Sequence, residues 1–157
     1  MRNFQTHFWQ TLQGYKEKVA FQAPSDDGAE ERTFWEWTRR IQRLAIAWLD
    51  QGFEPETRVA IVAQNSQDWI DVGFATWLVG GCLVPLVSAR SRGETLRACA
   101  RSGAEWIAVP DVETLEQLRG QGENIPDYIN WLCFEEEHAP ESPDVPTLAD
   151  SDERPRT

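Results

Sequence analysis

Apolar runs of strand length alternate along the chain with amphipathic stretches of helical period. The runs "RVAIVA" and "CLVPLV" have almost no polar positions, which is typical of parallel strands buried on both faces. The predicted strands cover residues 18–24, 58–63, 82–87, 104–110 and 129–134. The predicted helices cover residues 34–51, 66–79, 92–103 and 111–121, and residues 25–31 are predicted to form a polar turn. Strands and helices joined by short links predict an α/β fold, a three-layer sandwich with a mostly parallel sheet.

The helix over residues 34–51 carries start and stop signals. Thr33 and Glu36 have the spacing of a capping box, in which each side chain bonds to the backbone amide of the other residue. Gly52 suits the left-handed residue that follows a helix, and Pro55 lies just beyond it. These signals predict a helix that begins at Phe34 and ends just before Gly52.

The helix over residues 66–79 is apolar in almost every direction around its axis. Because a sheet covers only one side of such a helix, something further must pack on the other side. Two of the eight tryptophans of the chain, Trp69 and Trp77, belong to this helix. The pattern predicts a partner on helix 66–79, which is either another part of the same protein or a second molecule, with self-association as one form.

The turn between strand 58–63 and helix 66–79 has the position of a nucleotide-binding loop but not its composition. A phosphate site at a helix N-terminus needs glycines that let backbone amides approach the anion. "AQNSQD" contains no glycine. We expect Asn65 to cap the helix and Asp68 to occupy the positive end of its dipole, so that the amides are satisfied internally.

Two further features are candidate ligand sites. Gly80 and Gly81 lie after a helix and before a strand, which favours a helix C-cap and a tight turn over a phosphate loop. Arg90 and Arg92 follow a strand at the sheet edge where α/β proteins bind ligands, so they are candidates for holding an anion. We favour the alternative, two solvated arginines before a helix that Ser91 or Gly93 caps.

Composition excludes several classes of protein. The chain has 157 residues and a net charge of −11, which disfavours binding to nucleic acid and to anionic lipid. Cys82, Cys99 and Cys133 are odd in number and widely spaced, which indicates buried thiols in a reducing compartment. The N-terminus lacks the apolar core of a signal peptide, and glycine and proline interrupt the one long uncharged stretch. We therefore expect a cytoplasmic protein without a transmembrane segment, and peripheral attachment to a membrane stays open.

No self-sufficient active site is visible in the sequence. Motifs for a nucleophilic serine, a Walker loop or a zinc protease are absent from the 157 residues. Neither His7, near the terminus, nor His138 is placed like a general base. We predict no catalytic, cofactor-binding or metal-ligating residue. Residues 1–134 are predicted to form the α/β domain, and residues 135–157, with eight acidic side chains and two arginines, an acidic, proline-rich linker or disordered tail.

The order of these elements resembles the N-terminal part of the AMP-forming acyl-CoA synthetases, in the adenylate-forming ligase superfamily. Residues 33–61 are similar to the family's opening helix and strand, "(T)(Y/W)xE(L)xxxxxxLAxxLxxxGxxxGDRVAI". Residues 65–86 are similar to "xxNSxEWxxxxxAxxxAGGxxVPLY". Residues 111–136 resemble "EQLEKLLxxRxxLPxLRxxIVFD", typical of the long-chain fatty acyl branch. The matching positions in the first two stretches are Thr33, Trp35, Glu36, Leu44, Ala45, Gly52, Arg58, Val59, Ala60, Ile61, Asn65, Ser66, Asp68, Trp69, Ala75, Gly80, Gly81, Val84, Pro85 and Leu86. Glu94, Leu96, Ser102, Gly103 and Ala104 match a further stretch, "EExxxxLxxSGA".

The resemblance implies a function that these residues do not complete. The family uses ATP to form an acyl-adenylate and then transfers the acyl group to coenzyme A. Its phosphate loop, its adenine and magnesium motifs and its catalytic lysine lie downstream of the matched region. The resemblance therefore implies the N-terminal scaffold of a long-chain fatty acid–CoA ligase, inactive alone, with ATP, Mg²⁺ and CoA as cofactors of a full-length member only. Residues "SARSRGETL" depart from the family's "PTxxxEEL".

Two alternatives remain open at this point. The first is a stand-alone, non-catalytic binding module that docks a partner protein or an acyl chain through its tryptophan-rich face. The second is an independent flavodoxin-like nucleotide-binding domain, which the glycine-free turn at residues 63–68 disfavours.

Overall fold

The computed structural model describes residues 4–25, 28–86, 91–120 and 128–134. The helices are α1 (Phe4–Gly14), α2 (Phe34–Asp50), α3 (Gln67–Leu78), α4 (Arg92–Ser102) and α5 (Val112–Arg119). The strands are β1 (Val19–Ser25), β2 (Gly28–Thr33), β3 (Arg58–Val62), β4 (Cys82–Leu86), β5 (Trp106–Val109) and β6 (Asn130–Cys133). Arg90, His138 and the predicted tail at residues 135–157 lie outside the described residues, so those interpretations stay predictions.

A four-stranded parallel sheet forms the centre of the fold. Its strand order is β4-β3-β5-β6, and every neighbouring pair is parallel. Strands β1 and β2 form a separate antiparallel pair that packs against α2. The predicted α/β class with a parallel sheet is confirmed.

Both faces of the central sheet are covered by helices. In β3, Val59 and Ile61 belong to a core shared with α1, α2 and α3, whereas Ala60 and Val62 belong to a second core shared with α4 and α5. All four of these side chains are buried. The alternation shows why the strands read as continuous apolar runs, and it produces the three layers that the sequence predicts.

The predicted start and stop signals of α2 are both present. The Glu36 amide donates to Thr33 Oγ1 at 3.2 Å, and the Glu36 carboxylate accepts from the Thr33 amide at 2.9 Å. These bonds from Thr33 lower the pKa of Glu36. At the other end Gly52 has a φ of +82°, and the Phe53 amide donates to the Trp48 carbonyl at 3.0 Å. The Phe53 and Trp48 rings stack at 5.0 Å, which gives this Schellman end its hydrophobic contact.

Two elements differ from the prediction. Helix α1 was not predicted, and it places His7 on the surface of a helix. Residues 25–31, predicted to be a polar turn, instead include the end of β1 and the start of β2. The backbone hydrogen bonds of an exposed two-stranded ribbon do not require apolar side chains, so "GAEERT" carries no hydrophobic signal of a strand.

Candidate functional site

The carboxyl edge of the sheet is where an open α/β fold would bind a ligand. The strand order reverses between β3 and β5, so a crevice is expected beyond the ends of these two strands. The N-termini of α3 and α5 begin at this edge, directly after β3 and β5. Backbone amides at a helix N-terminus are the groups that hold phosphate, so their partners decide whether this edge has a site.

Side chains of the protein itself occupy these helix N-termini. Ser66 Oγ accepts from the Trp69 amide at 3.1 Å at the start of α3, and Asp111 Oδ1 accepts from the Thr114 amide at 2.6 Å at the start of α5. At the start of α4, the Glu94 carboxylate accepts from the Ser91 amide and hydroxyl at 3.1 and 2.7 Å. The prediction of an internally satisfied turn after β3 is confirmed, although the prediction of Asn65 as its cap is wrong. Ser66 has the extended backbone of an N-cap. Asp68 lies in the first turn of α3 as predicted, and its carboxylate also pairs with Arg40.

The two glycines that follow α3 end the helix, as predicted. Gly80 has a φ of +81°, and its amide donates to the Trp77 carbonyl at 3.2 Å. The Gly81 amide donates to the Thr76 carbonyl at 2.8 Å, which completes a Schellman motif. A Cβ on Gly81 would lie 2.7 Å from the Phe53 ring, so close packing also requires this glycine. These residues hold a helix against a strand and have no ligand-binding geometry.

Arg92, the candidate anion ligand within the described residues, is engaged elsewhere. Its Nε donates to the Leu118 carbonyl and its Nη2 to the Arg119 carbonyl, each at 3.0 Å. These carbonyls belong to the last turn of α5, where a guanidinium stabilises the negative end of the helix. The preferred prediction of a solvated arginine is therefore also wrong for Arg92, because its guanidinium ties α4 to α5.

Two of the three thiols are buried and offer little reactive chemistry. Burial raises the pKa of the Cys99 thiol to about 11, and Cys133 is also buried. Cys82 is exposed, so the prediction of buried thiols is correct for Cys99 and Cys133 and wrong for Cys82. No cluster of three or more metal-ligating side chains occurs in the part of the chain that the structure describes.

One polar group in the described structure is a buried carboxylate that was not predicted. Asp71, in the middle of α3, has no exposed side-chain surface. Its Oδ1 accepts from Trp37 Nε1 at 2.8 Å, and its Oδ2 accepts from Arg40 Nε at 2.8 Å and from Arg32 Nη1 at 3.4 Å. Arg40 also donates to Asp68 at 3.1 Å. We call Asp71, Trp37, Arg40, Arg32 and Asp68 the Asp71 clamp.

The Asp71 clamp connects three elements. It ties α3 to α2 through Trp37 and Arg40, and to β2 through Arg32. Burial raises the pKa of Asp71, and the charge of Arg40 partly offsets this effect. A carboxylate enclosed by three donors, with no solvent access, holds elements together and cannot act on a substrate. The available signal was an aspartate in an otherwise apolar helix, which must find a partner if it is buried.

Helix α1 supplies part of the cover that α3 was predicted to need. The Phe8 ring stacks on Phe74 at 4.7 Å and meets Trp37 edge-on at 5.7 Å. Trp77 nevertheless remains 39% exposed. The predicted partner on helix 66–79 is untested, and part of this helix surface is still open in the described structure. None of the described helices is long and apolar enough to span a bilayer.

Comparison with known proteins places the chain in a family. The family model described as "AMP-binding enzyme" matches residues 8–155. A long-chain-fatty-acid–CoA ligase of Drosophila melanogaster, heimdall, is 25% identical over 101 residues, which cover 64% of this chain and 15% of that protein. The chain thus spans a small part of the curated relative that it matches.

Solved structures show the same fold. Coronafacic acid ligase from Pectobacterium brasiliense superposes with a TM-score of 0.81 at 14% identity, covering 98% of this chain and 30% of that one. A benzoate CoA ligase from Burkholderia xenovorans LB400 gives 0.73 at 16% identity, covering 96% of this chain and 28% of that one. The chain shares the fold of part of each of these two proteins, and the family model extends over nearly all of the chain. This protein belongs to the AMP-binding enzyme family.

Proposed function

We propose that this chain is the N-terminal scaffold part of a long-chain fatty acid–CoA ligase and that it is inactive alone. The observation that carries the proposal is the family match over residues 8–155, combined with a sheet edge whose helix N-termini are capped from within. A family member that activates acids with ATP needs a phosphate-binding loop, and the sequence contains no glycine-rich loop before a helix that could serve as one. The long-chain assignment is supported by the 25% identity to the Drosophila ligase.

The scaffold role also explains the distribution of apolar surface. Helix α3 has a core side that packs on α2 and β4, and an outer side on which Trp77 is 39% exposed. We propose that the ATP-binding part of the ligase, or a separate protein, packs on this outer side. ATP, Mg²⁺ and CoA are cofactors of the complete ligase in this proposal, and this chain holds none of them by itself.

ATP–pyrophosphate exchange with palmitate tests the inactivity of the chain. We expect the 157-residue chain to give no exchange above the rate without protein, while an intact acyl-CoA ligase in the same assay does. Exchange by the chain alone would overturn the proposal. If the native reading frame continues beyond Thr157, the longer product should activate palmitate in preference to benzoate. A preference for benzoate would overturn only the long-chain assignment.

A stand-alone binding module is the second candidate. It is favoured by Trp77, an aromatic residue of α3 that is 39% exposed. A stop codon directly after Thr157 in the native transcript, together with saturable binding of a fatty acid or of a protein, would favour this module over the scaffold. The position of the stop codon therefore separates the two candidates most directly.

A further inference from the structure

Prolines recur at every third position in the segment that follows β6. They are Pro140, Pro143 and Pro146. Proline fixes its own φ at about −65° and also restricts the residue before it, so six of the eight residues at positions 139–146 favour the polyproline II conformation. That conformation has about three residues per turn. The sequence therefore predicts a segment with its prolines along one side, and with Glu141 and Asp144 together on a second side.

A surface beside the first turn of α2 has the chemistry to bind such a segment. The Trp35 amide donates to the Lys16 carbonyl at 3.0 Å, and the Phe34 amide donates to the Lys18 carbonyl at 2.9 Å. These backbone bonds hold the loop after α1 against the start of α2. The exposed side chains that come together there are Tyr15, Lys16, Lys18, Trp35 and Arg39, which we call the aromatic–basic patch.

The aromatic–basic patch presents accessible rings with cations directly beside them. Tyr15 and Trp35 are 43% and 47% exposed. Lys18 Nζ is 4.5 Å from the centre of the Tyr15 ring, and the Arg39 guanidinium is 5.0 Å from the centre of the Trp35 ring. Surfaces lined by aromatic rings bind proline-rich segments, because a segment that already favours polyproline II loses little entropy when it docks. The cations beside the rings can pair with acidic side chains of the same segment.

The charges of the patch and of the segment are complementary. Lys16 and Lys18 are the only lysines among the 157 residues, and Arg39 is the third cation of the patch. Residues 135–157 contain eight acidic side chains and two arginines, which gives a net charge of −6. Glu17 and the ionised Glu36 of the capping box lie nearby and reduce the attraction. Binding therefore needs the contacts with the rings as well as the ion pairs.

The path of the chain brings the segment and the patch to the same side of the molecule. The Phe134 amide donates to the Val109 carbonyl at 3.0 Å, so the chain leaves the sheet at its carboxyl edge. Phe134 is buried in the core that α2 covers. The first turns of α2 lie at this same edge, because Arg40 pairs with Asp68 in the first turn of α3. The six residues from 135 to 140 can span about 20 Å, which is roughly two helix diameters.

We propose that residues 140–146 dock on the aromatic–basic patch of the same chain. The prolines pack on the Tyr15 and Trp35 rings, and the acidic side of the segment faces the three cations. Docking within one chain has an effective concentration on the order of millimolar, so weak contacts are enough to populate the docked state. The docked segment covers exposed aromatic surface and fixes the course of the chain after β6. The inference goes beyond the proposed ligase scaffold and does not depend on it.

NMR with a spin label measures this contact in the 157-residue chain. The label is attached at Ser142→Cys, which is on neither the proline side nor the acidic side, in a Cys82→Ser background because the other two thiols are buried. We expect the label to broaden the indole N–H signal of Trp35 much more than that of Trp77. Trp77 is comparably exposed but lies in the last turn of α3, toward the amino edge of the sheet. About 1 M NaCl, where the Debye length is roughly 3 Å, should weaken the broadening of the Trp35 signal.

Charge variants separate the patch from general attraction to cations. Lys16→Gln/Lys18→Gln should lower the equilibrium constant for docking roughly fourfold, since each exposed ion pair contributes about a twofold factor. Arg97→Gln/Arg101→Gln is the matched control, because it removes the same charge from exposed side chains of α4, which covers the opposite face of the sheet. We expect the control to leave the equilibrium constant unchanged.

A proline variant tests the other half of the contact. Pro140→Ala/Pro143→Ala/Pro146→Ala keeps every charge and should also reduce the broadening of the Trp35 signal. Circular dichroism of each variant verifies that it is folded. Similar broadening of the Trp35 and Trp77 signals, equal losses from the lysine and arginine variants, or no effect of the proline variant would each overturn the proposal.

A mixed sample tests docking between two copies of the chain. Spin-labelled chain without isotope enrichment is mixed with isotope-enriched chain that has no label. We expect the Trp35 signal to stay sharp in this mixture. Broadening as strong as in the singly labelled sample would show that the segment docks on a second copy, and would overturn docking within one chain.

Discussion

Replacing Arg40 by glutamine tests the energetic importance of the Asp71 clamp. Arg40 Nε donates to Asp71 at 2.8 Å, and the two side chains are 15% and 0% exposed. Removing one partner of a buried ion pair costs about 3–5 kcal/mol, because the other charge stays buried without compensation. Trp37 and Arg32 would still donate to Asp71, so we expect a loss of about 2–4 kcal/mol in the free energy of unfolding. The contact with Asp68 adds little, since that carboxylate is 39% exposed.

The loss in free energy of unfolding caused by Arg40→Gln should depend on pH in a defined direction. Burial already raises the pKa of Asp71 in the folded protein, and removing the opposing charge of Arg40 raises it further. An acid whose pKa is raised by folding lowers the free energy of unfolding above its folded pKa. This destabilisation disappears below its unfolded pKa of about 3.9. The destabilisation caused by Arg40→Gln should therefore be full near neutral pH and should shrink as the pH falls toward about 4.

Urea unfolding followed by tryptophan fluorescence, at neutral and at acidic pH, provides the measurement. Arg39→Gln is the matched control, because Arg39 is the neighbouring residue of α2 but lies exposed over the Trp35 ring. We expect that control to cost at most about 1 kcal/mol at either pH. Adding Asp71→Asn to Arg40→Gln should remove the pH dependence. A loss in free energy of unfolding for Arg40→Gln that is the same at both pH values, or no larger than that of Arg39→Gln, would refute the prediction.

Two further predictions concern buried side chains. Trp37→Phe should destabilise the protein by about 2 kcal/mol more than Trp48→Phe in urea unfolding, because Trp37 donates to the buried carboxylate while Trp48 Nε1 has no partner within the described structure. Equal losses in the free energy of unfolding for the two variants would contradict this prediction. With Ellman's reagent, native protein should react rapidly at Cys82 alone, because the pKa of Cys99 is about 11 and Cys133 is buried, whereas urea should expose all three thiols. Fast labelling of more than one thiol would show that the second core opens.

Elements with local signals were predictable from the sequence. Thr33, Glu36 and Gly52 act within a few residues of one another, so the bounds of α2 follow from short-range chemistry. The parallel strands β3 and β5 appear as apolar runs because both of their faces are buried. The absence of a phosphate loop after β3 was also visible, since it depends only on local composition.

Features that depend on distant partners were not predictable. Helix α1 is stabilised by Leu12 in the core and by Phe8 on Phe74, which lies far along the chain. The donors of the Asp71 clamp are 31 to 39 residues away from Asp71 in the sequence. The N-cap of α3 is Ser66, one residue after the predicted Asn65. Asparagine and serine are both good N-caps, so only the backbone path selects between them.

Helices cover both faces of the central sheet, and this affects how the sequence specifies the register between its strands. In a sheet with one solvent-exposed face, a shift of one strand by one residue would turn its apolar side chains toward water. Such a shift is unfavourable because of the polarity of the two faces. Here a slip of β5 would exchange Trp106 and Ala108 with Ile107 and Val109, all of them buried. The two cores differ in the side-chain volume that fits in them. The size of each side chain, rather than its polarity, therefore determines the register of β5 against β3. Substitutions in these strands should therefore be tolerated according to volume.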